Sequence, residues 1–259
     1  MTPAPAVAVI VPVHGHPELL AETLDSVRRQ RGVTVRLVVI DDASPVPVAA
    51  QGASVVRLAA KIGPGPARNE GLKFAEGEFV AFLDSDDVWE DDFLERSVAA
   101  LAKTGASASV ALSRPVFSGG FAWTTGLRLR MFTAARNGAL RLCAFLSPSG
   151  LPVAGFYLCQ LSHVLFRTDR IKGLRFGAEI GGEDWSFLLD AMKGGTVTVI
   201  PRRLVRYRFR PDSLSFRPLD PARRKAIYSA FLPRLEAAGA RGPLLLLYKA
   251  YFGLFGGGR

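Results

Sequence analysis

Short, uniformly apolar runs alternate with segments of helical period over the first hundred residues. Residues 7–13, 33–40 and 79–83 are runs of β-branched and other apolar side chains of strand length, and 54–58 is a shorter one. Uninterrupted apolar runs of this kind fit strands covered on both faces. Residues 17–29 place Leu20, Thr23, Leu24 and Val27 on one helical face, with Pro17 where a helix tolerates a missing amide. A second helix is expected from Pro66 to a stop at Gly77, and a third over 91–103, stopped near Gly105. This alternation predicts an α/β fold, a mixed, mostly parallel sheet flanked by helices.

Beyond residue 105 the punctuation loosens. Strand-like runs fall at 108–112, 162–166 and 196–200, and a helix is expected over 183–192. Residues 117–155 mix glycine, arginine and aromatic side chains without a clear period, so no element is assigned there. A change of composition near residue 215 leads into a basic helix over 221–237 and an apolar stretch over 244–255. The reading is one domain over 1–215 and a basic, apolar helical appendage over 216–259.

With 259 residues, 49% of them hydrophobic, the chain is long enough for one substantial core and is not a disordered sequence. Cys143 and Cys159 sit in apolar stretches without CxxC spacing and read as small buried residues rather than a disulfide or zinc pair. The first residues lack the basic start and long apolar run of a signal peptide, and no segment reaches the ~20 apolar residues of a membrane span. A cytoplasmic protein is expected. The net charge of +10 is unevenly placed: residues 1–200 hold 20 Lys/Arg and 20 Asp/Glu, and residues 201–259 hold 13 and 3. The excess therefore belongs to the C-terminal end, which is expected to meet something anionic.

In open α/β sheets ligands gather beyond the carboxyl ends of the strands. Two acidic clusters stand there: Asp41-Asp42 after one apolar run, and Asp84-Ser85-Asp86-Asp87 after another. Crowded carboxylates repel, and a shared cation relieves them; Asp oxygens with phosphate and water suit Mg²⁺ or Mn²⁺. The alternative is structural, with Asp87 capping the following helix and its neighbours forming a solvated turn.

Six short motifs, in order and at ordinary spacing, carry a resemblance. They are Val11-Pro12-Val13, Val39-Ile40-Asp41-Asp42-Ala43-Ser44, Gly65-Pro66-Ala67-Arg68-Asn69-Glu70-Gly71, Phe82-Leu83-Asp84-Ser85-Asp86-Asp87, Gly182-Glu183-Asp184-Trp185, and residues 207–215 beginning Tyr207-Arg208-Phe209-Arg210. Together they resemble the family 2 glycosyltransferases of GT-A fold. The resemblance implies a nucleotide-sugar half over about 1–105 and an acceptor half over about 106–215. It implies that Pro12, Asp42, Arg68 and Asp84 line the nucleotide, that Asp86 holds a divalent metal, Mg²⁺ or Mn²⁺, on the diphosphate, and that Asp184 is the base of an inverting transfer. The expected donor is UDP-linked and the expected acceptor a glycan or lipid-linked hydroxyl, as in cell-surface polysaccharide synthesis. Trp185 is either a wall for the sugar or a core aromatic.

Two departures qualify this. His14-Gly15 replaces the usual Tyr-Asn, and Arg210 stands where the pattern has a histidine that can ligate metal; a guanidinium cannot. Arg208 and Arg210 are then expected to carry part of the diphosphate charge. His163 reads as a strand residue facing the core or the acceptor cleft. The basic tail, with Leu244–Leu247 and Tyr251–Phe255 beside its charges, suggests peripheral contact with an anionic membrane surface at its cytoplasmic face, against packing onto the domain or a homo-oligomer partner. A nucleotidyltransferase is disfavoured by the lack of a Gly-rich, Lys-containing N-terminal loop. A basic nucleic-acid-binding protein is disfavoured by the neutral first 200 residues, so no nucleic acid partner is expected. Dinucleotide oxidoreduction does not fit Gly63-Pro64-Gly65-Pro66, which lacks GxGxxG spacing.

Overall fold

Strand β1 (Ala6–Val13) lies between β2 (Thr34–Asp41) and β4 (Phe79–Phe82), with β3 (Ser54–Arg57) outside β2, and all four run parallel. The structure, a computed structural model, describes residues 3–146, 151–152, 160–178, 182–193 and 195–213. The expected tail over 216–259 and Cys159 lie outside them. Beyond β4 the order continues through β8 (Val164–Arg167), β6 (Ala108–Phe117) and β9 (Thr196–Phe209). β8 is antiparallel to both its neighbours, while β6 and β9 are parallel to each other. The two-residue strands β5 (Val88–Trp89) and β7 (Leu151–Pro152) both pair with β9, antiparallel. The result is the mixed, helix-flanked sheet expected of a GT-A fold.

Alternation along β1 builds both faces of the core. Val7, Val9 and Val11 join Leu20 and Leu24 of α1 (Pro17–Arg28) and Phe93 and Leu94 of α3 (Phe93–Thr104). Ala8 and Ile10 turn the other way, to a cluster with Ala67 of α2 (Pro64–Leu72) and Phe187 and Leu188 of α6 (Glu183–Met192). Helix α2 approaches β1 so closely that a Cβ on Gly71 would lie 2.4 Å from Ile10 Cγ2. A short helix, α5 (Thr168–Ile171), follows β8.

Several boundaries differ from expectation. Helix α2 starts at Pro64 rather than Pro66 and ends at Leu72, because Phe74 and Ala75 turn onto the carbonyls of Gly71 and Leu72, three residues back. β9 runs on to Phe209, although the sequence reading stops its strand at residue 200. A register irregularity opposite Ala111 to Ser113 absorbs Pro201 and Arg202, and the strand resumes. The unassigned segment contains α4 (Trp123–Leu146), a helix of 24 residues packed on β6 and β9. His163 belongs to a 3₁₀ turn, Leu161–His163, that precedes β8 rather than to a strand.

Candidate active site

The strand order reverses direction at β1, and the crevice at the carboxyl ends of β1, β2 and β4 is where the acidic clusters emerge. Asp41 is fully buried and structural. Its carboxylate accepts from the amides of Ser44 and Val48 and from Arg57. These three donors, together with the Ser44 side chain, hold it below the usual carboxylate range against the opposing effect of burial, the largest single influence. Asp42, next along, is held by both oxygens: Oδ1 accepts the Ile62 amide at 2.7 Å and Oδ2 the Gly63 amide at 2.9 Å. His14 Nδ1 lies 2.8 Å from the Asp42 carbonyl, so the altered loop after β1 is tied to this turn. Pro12 is buried in β1, opposite Ile40.

Arg68 on α2 is the hinge of the site. It is 5% exposed, donates from Nη2 to Asp84 Oδ1 at 2.6 Å and has Nη1 3.7 Å from Glu183 Oε1, with Phe176 under its guanidinium. Among the described residues its Nε and Nη1 make no hydrogen bond. One cation thus joins the acidic loop of the donor side to the first turn of α6. The joint depends on close approach: a Cβ on Gly65 would sit 2.5 Å from the Gly177 carbonyl oxygen. Asn69, one residue on, accepts from the Phe176 amide at 2.8 Å and donates to its carbonyl at 2.9 Å, pinning the segment that leads toward α6.

The acidic loop is clamped by β9. Asp87 is fully buried and accepts the Arg208 amide at 2.9 Å, while the N-cap of α3 is Asp92. Asp87 therefore does not cap α3; it anchors the last strand. Arg208 donates to the Asp86 carbonyl, to Ser118 and to Glu22, so its guanidinium braces the loop. Arg210 Nε donates to Asp86 Oδ2 at 3.0 Å, and its Nη1 reaches Asp212 and His16. Trp89 completes the clamp from below, its indole donating to the Ser162 carbonyl at 2.7 Å.

Electrostatically the loop remains overloaded. Burial and the Asp84 charge raise the Asp86 carboxyl despite Arg210, and burial with Asp86 and Asp84 raises Asp87 well above the ordinary range. Among the described residues Asp87 Oδ2 has no hydrogen-bond partner. Arg210 already offsets part of this charge at Asp86 Oδ2, and an oxygen-seeking divalent cation beside the loop would offset more. No three His, Cys, Asp or Glu side chains form a ready-made metal shell among the described residues.

At the start of α6, Asp184 is pushed up to about 7, first by burial, then by the Glu183 charge and Asp84, against Arg68. A carboxylate poised near neutrality, in the first turn of α6, is a group able to accept a proton. Its Oδ1 takes the Trp185 amide at 2.9 Å, which orients it. Trp185 itself packs on the core cluster. His163 is fully buried edge-on to Tyr207, 5.9 Å between ring centroids, and burial with nearby Arg136 keeps its imidazole neutral.

Of the residues singled out in the sequence, the structure joins Arg68 to Asp84, and Asp86 to Arg208 and Arg210, sets Asp184 beside the Arg68 partner Glu183, and holds Asp42 on the Ile62 and Gly63 amides. Sequence reasoning did not foresee the partners that fix three further residues. It missed Asn69 as the pin, Glu183 as the Arg68 counter-charge and Asp87 as the strand anchor. All three lie inside the quoted motifs, so position flagged them while their partners, up to 121 residues away, did not show.

The profile of glycosyl transferase family 2 matches residues 8–152. The chain belongs to that family. The succinoglycan biosynthesis protein ExoO of Rhizobium meliloti is 33% identical over 238 residues, 82% of this chain and 63% of its own length. The Escherichia coli enzyme WfgD, UDP-Glc:alpha-D-GlcNAc-diphosphoundecaprenol beta-1,3-glucosyltransferase, is 32% identical over 108 residues, 39% of this chain and 43% of its own. The chain thus spans less than two thirds of either relative. Among solved structures, S. aureus TarS (1–349) in complex with UDP-GlcNAc shares the fold, with a TM-score of 0.72 and 20% identity over 96% of this chain and 73% of that one.

Proposed function

We propose that this chain transfers a sugar from a UDP-linked donor to a hydroxyl of a glycan or lipid-linked acceptor, with inversion, in the synthesis of a cell-surface polysaccharide at the cytoplasmic face of the membrane. The observation that carries it is the Arg68 bridge, which joins Asp84 on the donor side to Glu183 beside Asp184. The names of WfgD and of the TarS complex support UDP-sugars, and the diphosphoundecaprenol acceptor of WfgD supports a lipid-linked one. The catalytic unit is residues 1–215, with most donor contacts before about residue 105 and Arg210 added from the end of the last strand.

Asp184 takes the proton from the acceptor hydroxyl as its oxygen bonds to the anomeric carbon. The bond from that carbon to the diphosphate oxygen breaks, and the nucleoside diphosphate leaves with the electron pair. Asp42 and Pro12 line the base and Asp84 the ribose. Arg68 and Arg210 offer positive charge to the diphosphate. A divalent ion on Asp86 would supply further Lewis-acid charge to the leaving group. Burial, and after it the Glu183 charge, keep the proton affinity of Asp184 high enough to act near neutral pH.

The test separates binding from chemistry. UDP and UDP-sugars should raise the thermal midpoint of the protein, since a ligand of the native state stabilises it. Asp184→Asn should keep that shift and lose transfer by about 10²-fold or more, whereas Asp86→Ala should weaken both. Failure of every nucleotide diphosphate to shift the midpoint, with Asp86→Ala unchanged, overturns the assignment.

A further inference from the structure

Helix α4 wears its polarity reversed. At ~100° of turn per residue, the side on β6 and β9 carries Leu129, Thr133, Arg136, Asn137 and Leu140, all buried and three of them polar. Both guanidinium Nη atoms of Arg136 and the Asn137 amide donate there to Gln160 and Ser113. The opposite side exposes Trp123 at 78%, Leu127 at 41%, Met131 at 64% and Leu142 at 57%. These four fall within an arc of about 100°. Arg128 and Arg130 flank the arc on either side, Arg141 lies in the row of Trp123, and all three are exposed. No Asp or Glu occurs anywhere in the helix. Scattered exposed apolar residues are ordinary, but an aligned stripe of four with a tryptophan marks a surface that meets something.

We infer that this face of α4 lies on an anionic phospholipid surface, with the helix parallel to its plane. An apolar stripe bordered by arginines can sink to the level of the headgroups while the guanidinium groups reach the phosphates. Charge decides between occupants. A second copy docking by the same face would oppose three arginines to three arginines with no acid in the helix to offset them. The C-terminal residues 216–259, with 8 Lys/Arg and 2 Asp/Glu, carry the same sign. An anionic partner with an apolar layer beneath its charges satisfies both halves of the pattern.

The face adjoins the cleft. The Arg130 guanidinium lies over the Phe117 ring, 4.7 Å from its centroid, and Phe117 stacks on Phe209, the residue before Arg210. A membrane under α4 would therefore bring lipid headgroups alongside the strand that braces Asp86. Its use in transfer rests on the lipid-linked acceptor proposed above; the contact itself does not.

The experiment is vesicle flotation of the full chain, with phosphatidylcholine alone and with phosphatidylglycerol mixed in, at low and high salt. The protein should float with the anionic vesicles at low salt and less at high salt. A Trp123→Gln, Leu127→Gln, Met131→Gln variant should float about fivefold less or lower, with an unchanged thermal midpoint and an unchanged shift with UDP. Quenching of tryptophan emission by brominated phosphatidylglycerol should be seen in the parent chain and lost in Trp123→Phe, because Trp89 is fully buried and Trp185 is packed on the core. Three results overturn the inference: no flotation of the parent chain, equal flotation of the triple variant, which would move the contact elsewhere on the chain, or a lowered sedimenting mass of that variant with unchanged flotation, which would mean that a second copy covers the stripe. None of these readouts needs transfer activity, so their outcome is separate from that of the proposed reaction.

Discussion

Replacing Glu183 by Gln should move the acid limb of transfer to lower pH. The Asp184 carboxyl stands at about 7 because it is buried and because Glu183, its neighbour in the first turn of α6, adds a like charge. Two unit charges about 8 Å apart interact by about 2 kcal/mol at an effective dielectric of about 20, or about 1.5 pKa units. The substitution removes that repulsion and also releases Arg68, 3.7 Å from Glu183, to act more strongly on Asp184, so both effects lower its pKa. The sign follows from the role: a base works only when deprotonated, so activity rises with pH through the Asp184 pKa. With a pKa of about 7, about a tenth of the enzyme is active at pH 6; with about 5.5, about three quarters is. The assay is kcat/KM for a UDP-sugar between pH 5 and 9, which reports the free enzyme, beside the UDP-induced thermal shift as a control for donor binding. An acid limb that stays in place while the thermal shift is preserved would refute Asp184 as the titrating base.

Other perturbations give distinct outcomes. Gly71→Ala places a methyl against fully buried Ile10 and should cost about 1–3 kcal/mol in denaturant unfolding. Asn69→Ala leaves the Phe176 amide and carbonyl unpaired and should cost about 2 kcal/mol, with a larger loss of transfer than of UDP binding because the segment leading to α6 is loosened. Arg210→Ala removes the charge paired with Asp86 and should weaken UDP binding about tenfold or more in chelator, and less when Mn²⁺ is present, as read by calorimetry. His163 is held neutral in the fold, so its contribution is full above the unfolded pKa of about 6.5 and is lost as pH falls; His163→Phe should flatten the acid-side decline of thermal stability.

β1, β4 and the second half of β2 were legible because they are buried on both faces, and α1, α3 and α6 because their apolar residues keep a single face. α4 was opaque for the opposite reason. Its Leu129 and Leu140 point inward while Trp123, Leu127 and Met131 point outward, which erases the 3.6-residue signal. β9 was cut short because Pro201-Arg202-Arg203 reads as a loop when the register irregularity beside it is unknown. In the site, residue types at a strand end pointed to Asp84 and Asp86, and the family resemblance alone pointed to Asp184. Which carboxylate would bind, brace or anchor depended on partners far along the chain, as in Asp87 with Arg208 or Asn69 with Phe176, and local pattern holds no record of such pairs.

The anchoring of Asp87 by the Arg208 amide also sets an order of events during synthesis. The acidic loop leaves the ribosome more than a hundred residues before the strand that satisfies it, and the β5 pairing with Arg206 and Val205 arrives equally late. Until β9 is made, Asp87 lacks its amide donor and Asp86 its Arg210 counter-charge, and burying them would be costly. β1, β2, β3 and β4 can pair with one another as they emerge, leaving the far edge of β4 for β8. A nascent chain stopped short of Phe209 would hold paired amino-terminal strands and an acidic loop without its clamp, so that loop takes its final shape in one late step, when the last strand docks.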